Sequence, residues 1–305
     1  MRLDDEQESS NVEDRRGQGG GGGFNMPGLG GLGGLGGIGG RGMGLGTIAI
    51  VIVVALVFGI NPLSLLGGGG GGSGVPSGQQ IGQPQQAPDP ARPASEADRF
   101  VAKVLRTTER TWETIFTNEI GQPYQPPRLV LFSGSVQSAC GAAQSAMGPF
   151  YCPADRKVYL DQTFFDELSR RFGAPGDFAA AYVIAHEVGH HVQNLLGVSG
   201  QAQEAQQRSS KTRANAISVQ VELQADCLAG VWAKDNAGRI EPGDVDEAMR
   251  AATAIGDDTL QKAGQGVVVP ESFTHGSSAQ RTKWFMRGMT NGTVAGCDTF
   301  SGNAL

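Results

Sequence analysis

Histidine is scarce in this chain, and so are the large aromatics. Four histidines, four tyrosines and three tryptophans occur among 305 residues. No aromatic platform for stacking bases or sugars can be traced. Acidic residues outnumber basic ones, 30 to 24, and no basic stripe stands out, which excludes nucleic acid as a partner. The four cysteines contain no Cys-x-x-Cys pair, which argues against a cysteine-ligated zinc. Charge is missing altogether between Arg41 and Asp89. Glycine shows the opposite bias: 48 residues, concentrated before residue 75 and far above average usage, in stretches that cannot pack a core.

These biases divide the chain. Residues 1–16 are charged and polar, and residues 17–46 are glycine-rich, so 1–46 reads as a disordered arm. The run from Thr47 to Ile60 is almost wholly apolar, and with its neutral flank to Leu66 it reaches the roughly 20 residues that a bilayer crossing needs. It lies too far from the N-terminus for a secretory signal and has no small-residue cleavage site. The expectation is a single transmembrane helix over 47–66, with the lipid bilayer as its partner. Arg15, Arg16 and Arg41 precede it and the next basic residue is Arg92, so the positive-inside rule puts the N-terminus in the cytoplasm and the rest outside. Residues 67–97, rich in Gly, Ser, Pro and Gln, read as a disordered tether reaching on the order of 30 Å. The globular domain is then 98–305, ample for one core.

Three of the four histidines fall within six residues, and two of them form His186-Glu-Val-Gly-His190. Four residues apart on a helix, His186 and His190 share a face and can take two corners of a tetrahedral zinc site, with Glu187 beside them to hold a water. The surrounding run, Phe178 to Leu196, supplies the helix. It is apolar along its whole length, with Asp177 as a candidate N-cap and Gly197 as a stop, so it should be buried. Unpartnered buried histidines are costly, which favours a metal there.

A hydrolytic zinc site needs a third protein ligand and one open position. The positions that would extend the motif toward a third histidine hold Gln193 and Leu196. His191 points about 140° away from His186 on the helix wheel, which disfavours it. A second helix, Thr212 to Ala237, carries Glu222 and Asp226 on one face among small and apolar residues. Two carboxylates there would be expensive to bury without a cation. Glu222 completes a His-His-Glu set, and Asp226 can accept the second N–H of a ligand histidine. Ala225, Ala229 and Gly230 would let this helix approach the first one closely.

The His-Glu-x-x-His motif with Glu222-x-x-x-Asp226 resembles the gluzincin class of metallopeptidases. More narrowly, the chain resembles a bacterial neutral zinc metallopeptidase family. The matching stretches are Ser10-Asn-Val-Glu-Asp-Arg-Arg-Gly17, Gly148-Pro-Phe-Tyr-Cys-Pro153, Lys157-Val-Tyr-Leu-Asp161, the two zinc motifs, and Ser272-Phe-Thr-His-Gly-Ser-Ser-Ala-Gln-Arg281. The resemblance implies a zinc-dependent hydrolase of peptide bonds. Its ligands would be His186, His190 and Glu222, and its general base Glu187. A second donor for the developing oxyanion is wanted beside the metal. His275, in the loop Pro270–Gly276, is the candidate, with Arg281 behind it.

Arg128–Phe132 and Lys157–Leu160 read as strands. The second could be an edge strand beside the cleft, where an extended peptide would add. A helix is expected over 162–172, and Asp244-x-x-Glu247 and Ser277-x-x-Gln280 look like capping boxes opening two more. The fold class is therefore α+β: a mostly helical, zincin-like domain with a small sheet. The even cysteine count suggests two disulfides in a domain outside the cytoplasm. Of three pairings, Cys140–Cys152 with Cys227–Cys297 is preferred, the first closing a short loop. Two other functions fit the same metal set: an amidase acting on cell-wall peptides, and a non-catalytic, zinc-stabilised binding protein. An intact Glu187 speaks against the latter.

Overall fold

A computed structural model describes residues 1–17, 95–170 and 173–301. The apolar run 47–66 expected to cross a membrane, the rest of the glycine-rich arm and most of the tether lie outside the described residues. Among those described, no helix is long and apolar enough to cross a membrane.

The elements in chain order are β1 (Val12–Asp14), α1 (Glu96–Ile115), β2 (Arg128–Leu131), β3 (Ser135–Ser138), β4 (Gly141–Gln144), β5 (Phe150–Cys152), β6 (Lys157–Leu160), α2 (Thr163–Arg170), α3 (Asp177–Leu195), α4 (Val198–Gln207), α5 (Lys211–Asp235), α6 (Asp244–Ala254), α7 (Asp257–Gln265) and α8 (Ser278–Asn291). The described residues are thus mostly helical with small sheets, as the hydrophobic patterning predicts. Helix α3 occupies the centre. Every residue from Phe178 to Gly189 is buried, and α1, α4, α5, α6 and the sheet all pack on it. Its first half, Phe-Ala-Ala-Ala-Tyr-Val-Ile-Ala, is apolar on all sides, so no face prefers water.

Helices α5 and α8 approach each other backbone to backbone. A Cβ on Gly230 would collide with the Phe285 carbonyl oxygen, and one on Gly288 with that of Cys227. Only glycine permits so close a crossing. The expectation that Gly230 serves the contact with α3 is corrected here: it faces α8, while α3 meets α5 where Gly189 lies against Ala225.

The main sheet has the order β1-β2-β6-β5. Strands β1, β2 and β6 are parallel, and β5 is antiparallel to β6. Strands β3 and β4 form a separate hairpin. Lys157–Leu160 is therefore an interior strand, not an edge; β5 and β1 hold the edges. Disulfides join Cys140 to Cys152, pinning the β3–β4 turn to β5, and Cys227 to Cys297, pinning α5 to the C-terminal turn.

The capping box at Ser277 is present, with Ser277 accepting from the Gln280 N–H and Gln280 from the Ser277 N–H. The one expected at Asp244 is not. Gly243 is the N-cap there, and Glu247 instead accepts the Phe178 N–H at 3.1 Å, capping α3. Asp177 is likewise the first residue of α3 rather than its cap. Helix α1, opened by a Ser95–Asp98 capping box, was not anticipated as an element.

The largest departure concerns the N-terminus. Residues 1–17 are not part of a disordered arm 1–46 but belong to the fold. Met1 and Leu3 are buried in the main core. Val12, Glu13 and Asp14 pair in parallel with Leu129, Val130 and Leu131. The polar residues that suggested an arm have partners in the domain: Ser9 donates to Glu109 at 2.5 Å, Arg16 forks onto Asp98 at 2.7 and 2.9 Å, and Lys157 meets Glu13 at 2.9 Å. The terminal ammonium lies between Asp177, Glu241 and Asp244, each within 3.1 Å. A segment this short and charged is held by long-range pairing, which local composition does not register.

Candidate metal centre

Two helices supply the three candidate ligands. Helix α3 carries His186 and His190, one turn apart, and α5 crosses it so that Glu222 faces both. His186 Nε2 lies 3.2 Å from one Glu222 oxygen and His190 Nε2 lies 3.5 Å from the other. All three ligand atoms fall within 4.8 Å of one another. A tetrahedron of zinc–ligand bonds near 2.05 Å has edges of about 3.3 Å, so these separations suit one ion.

Hydrogen bonds fix the state of each histidine. His186 Nδ1 faces Asp226 Oδ1 at 2.8 Å and His190 Nδ1 faces Gln193 Oε1 at 2.8 Å. Both partners are acceptors, so each Nδ1 donates, and Nε2 is the nitrogen that faces Glu222 and would be offered to a metal. The Gln193 orientation is set independently: its amide nitrogen donates to Val221 O at 2.7 Å and to Gln224 Oε1 at 2.9 Å.

Asp226 is fully buried and anchors a wider network. It accepts from Tyr182 at 2.5 Å and from Arg281 at 2.8 and 2.9 Å. Burial raises its pKa, but Arg281 and His186 override this and hold it at about 2. Burial likewise depresses His186, yet Asp226 and Glu222 lift it to about 10. The pocket thus favours positive charge between these side chains. Glu187, also buried, is pushed up by desolvation.

His191 turns away from this cluster. Its Nε2 donates to Gln125 O at 2.6 Å, and its Nδ1 accepts from Tyr151 at 3.0 Å, as the carbonyl leaves no other assignment. Burial lowers its pKa to about 4. It is a core histidine that ties α3 to edge strand β5.

His275 sits in the loop before α8. Its Nδ1 lies 3.2 Å from Asp257 Oδ1, while Asp257 Oδ2 accepts the backbone N–H groups of Thr274, His275 and Gly276 at 2.6, 2.6 and 3.1 Å. Burial alone would lower its pKa, but Asp257 and the charge of Glu222 raise it. Gly276, the next residue in this loop, lies against the Val219 and Leu223 side chains of α5, the helix that carries Glu222. Arg281 is engaged with Asp226, behind His186, so its place is with the supporting network rather than in the cleft. Gln193, Tyr182 and Asp257 went unremarked as site residues in the sequence. Gln193 and Tyr182 share the motif's helix face, at three residues after His190 and four before His186; Asp257 has no local signal.

The family model described as "Putative neutral zinc metallopeptidase" matches residues 1–300. The chain is 45% identical over 302 residues to the uncharacterized protein YpfJ of Escherichia coli K12, covering 98% of this chain and 99% of that one. It is 44% identical over 227 residues to the uncharacterized protein Rv2575 of Mycobacterium tuberculosis H37Rv, covering 69% of this chain and 74% of that one. No solved structure matches.

Proposed function

The chain belongs to the neutral zinc metallopeptidase family, and from that premise we propose that it is a zinc-dependent peptidase with a zincin-like active site. The observation that carries this reading is the donor set: two imidazoles with their Nδ1 protons committed elsewhere, and one half-buried carboxylate at tetrahedral spacing. His186, His190 and Glu222 would hold the ion, with Asp226 orienting His186 and Gln193 orienting His190. Bound zinc lowers the pKa of a water toward 7 and polarises the substrate carbonyl.

The remaining steps belong to the side chains. Glu187, its carboxyl raised by burial, takes the proton of the attacking water and passes it to the leaving amine. His275, whose protonated form Asp257 favours, would donate to the oxyanion as it develops. The substrate would be a peptide or protein. Two disulfides support a location outside the cytoplasm, where thiols are not kept reduced. An amidase acting on cell-wall peptides would use the same residues, and a zinc-stabilised binding protein would not need Glu187.

The test is zinc content and cleavage of an unfolded protein mixture by the full chain, beside Glu187→Gln and His275→Gln. One zinc per chain in all three, with cleavage lost in Glu187→Gln, is the expected result. His275→Gln should keep zinc and lose the alkaline limb of the pH–rate profile, which lies above the usual histidine range because Asp257 raises His275. Undiminished cleavage by Glu187→Gln would sink the mechanism, and cleavage of cell-wall peptides alone would favour the amidase.

A further inference from the structure

The docking of residues 1–17 onto the metal domain restricts how the chain can meet a membrane. We infer that the N-terminal strand and the metal domain lie on the same side of any bilayer, so that residues 18–94 leave and return on one face and 47–66 is not a single-pass anchor. A chain that leaves a folded body and returns to it crosses a membrane an even number of times. One crossing would place β1 and β2 in different compartments.

The cost of that separation is visible in the contacts. Without β1, the Leu129 N–H loses the Asn11 carbonyl at 2.9 Å, and the Leu131 carbonyl loses the Arg15 N–H at 2.8 Å. Glu109 loses Ser9 and Asn11, Asp98 loses Arg16, and the core loses Met1 and Leu3. Each buried polar group left unpaired is penalised.

The arginines bear on orientation too. The positive-inside argument counted Arg15 and Arg16 as charges on a free arm. Both are paired in the fold: Arg15 with Glu13 at 2.7 Å, and Arg16 with Asp14 at 2.6 Å as well as Asp98. Arg15 also reaches the β3 backbone at Gln137 O. Bound within the domain, they no longer direct a neighbouring apolar run.

An even count means none or two. Two crossings need about 40 apolar residues. Between residues 18 and 94 only 47–66 qualifies, because 67–94 is Gly, Pro, Ser and Gln with little else. The count is therefore zero, and whatever contact 47–66 makes with lipid is made from the domain's own side. That side is oxidising, because all four cysteines of the chain are in disulfides.

The disulfides also make the test clean, since no free thiol competes. Single substitutions Ser10→Cys, Gln203→Cys and Ser73→Cys in the full chain would be probed in intact cells or spheroplasts with a membrane-impermeant maleimide, before and after permeabilisation. Ser10 and Gln203 are exposed, so neither change disturbs packing. Equal labelling of all three before permeabilisation is expected. Equal protection of all three until permeabilisation also upholds the shared side, and sinks only the location outside the cytoplasm. Labelling of Gln203→Cys with Ser10→Cys protected restores the single-pass anchor and overturns the inference. Labelling of both with Ser73→Cys protected means two crossings and overturns the zero count.

Discussion

Replacing Asp226 by Asn separates what this carboxylate does for the fold from what it does for the metal. Asp226 is 0% exposed and accepts from Tyr182, His186 and Arg281. The amide keeps the shape but removes the charge and turns an N–H toward one of the Arg281 donors. Arg281, only 2% exposed, is left as a buried cation without its counter-ion. Breaking a buried pair from one side costs about 3–5 kcal/mol. Removing both partners, as Asp226→Leu with Arg281→Met, eliminates the uncompensated charge and should recover most of that loss. Metal affinity should behave differently. In both proteins His186 Nδ1 has lost its anionic acceptor, so affinity should fall about 10–100-fold in each. The assay is urea unfolding with disulfides intact, read as the change in midpoint at constant slope, beside zinc competition with a chelator. A loss of under about 1 kcal/mol in Asp226→Asn would refute the buried-pair reasoning. Full zinc affinity in the double variant would refute the orienting role.

Three further outcomes follow from the packing. Gly288→Ala should cost several kcal/mol in urea unfolding, because its Cβ meets the Cys227 carbonyl, whereas Gly200→Ala, open on α4, should gain about 0.5–1 kcal/mol. His191→Phe should retain full zinc content while losing about 1–3 kcal/mol, since Tyr151 and Gln125 lose their partner; a drop in zinc would make His191 a ligand. Arg16 holds the Asp98 carboxyl below its usual 3.8 against the opposing effect of burial. The unfolded chain therefore protonates first, and the pair stabilises above that pKa and fades as pH falls. Arg16→Ala should cost about 1–2 kcal/mol at neutral pH, and its gap from wild type should close in acid.

The candidate cluster of His186, His190 and Glu222 was legible because its signals are local. His186 and His190 are one helical turn apart, and so are Glu222 and Asp226, and each pair sits in a run too apolar to be solvent-facing. Periodicity gives the faces, and the cost of burying charge gives the reason for them to meet. The orienting partners were harder. Asp226 shows because its spacing from Glu222 repeats the motif, but Asp257 reaches His275 across 18 residues of chain with no pattern between them. Gly230 was read correctly as a close-contact residue and assigned to the wrong neighbour. A glycine states that some backbone comes near, not which one, and here α8 takes that place rather than α3.

The N-terminus failed for the complementary reason. A three-residue strand carries too few side chains to show alternation, and charge in its sequence reads as solvation. In the fold those charges face charges: Glu13 meets Arg15 and Lys157, and Arg16 meets Asp14 and Asp98. Composition counts such residues one by one, while docking depends on their being complementary to a surface built more than 80 residues later. The same reading entered the topology argument, because arginines taken as free were used to orient the apolar run. A fragment beginning at residue 95 would expose β2 as an edge and open the pocket that holds Met1 and Leu3. It should unfold at lower urea than the full chain, and a peptide of residues 1–17 added in trans should raise the midpoint again. Identical midpoints for fragment and full chain would mean that β1 adds nothing to the domain, and the shared-side topology would lose its support.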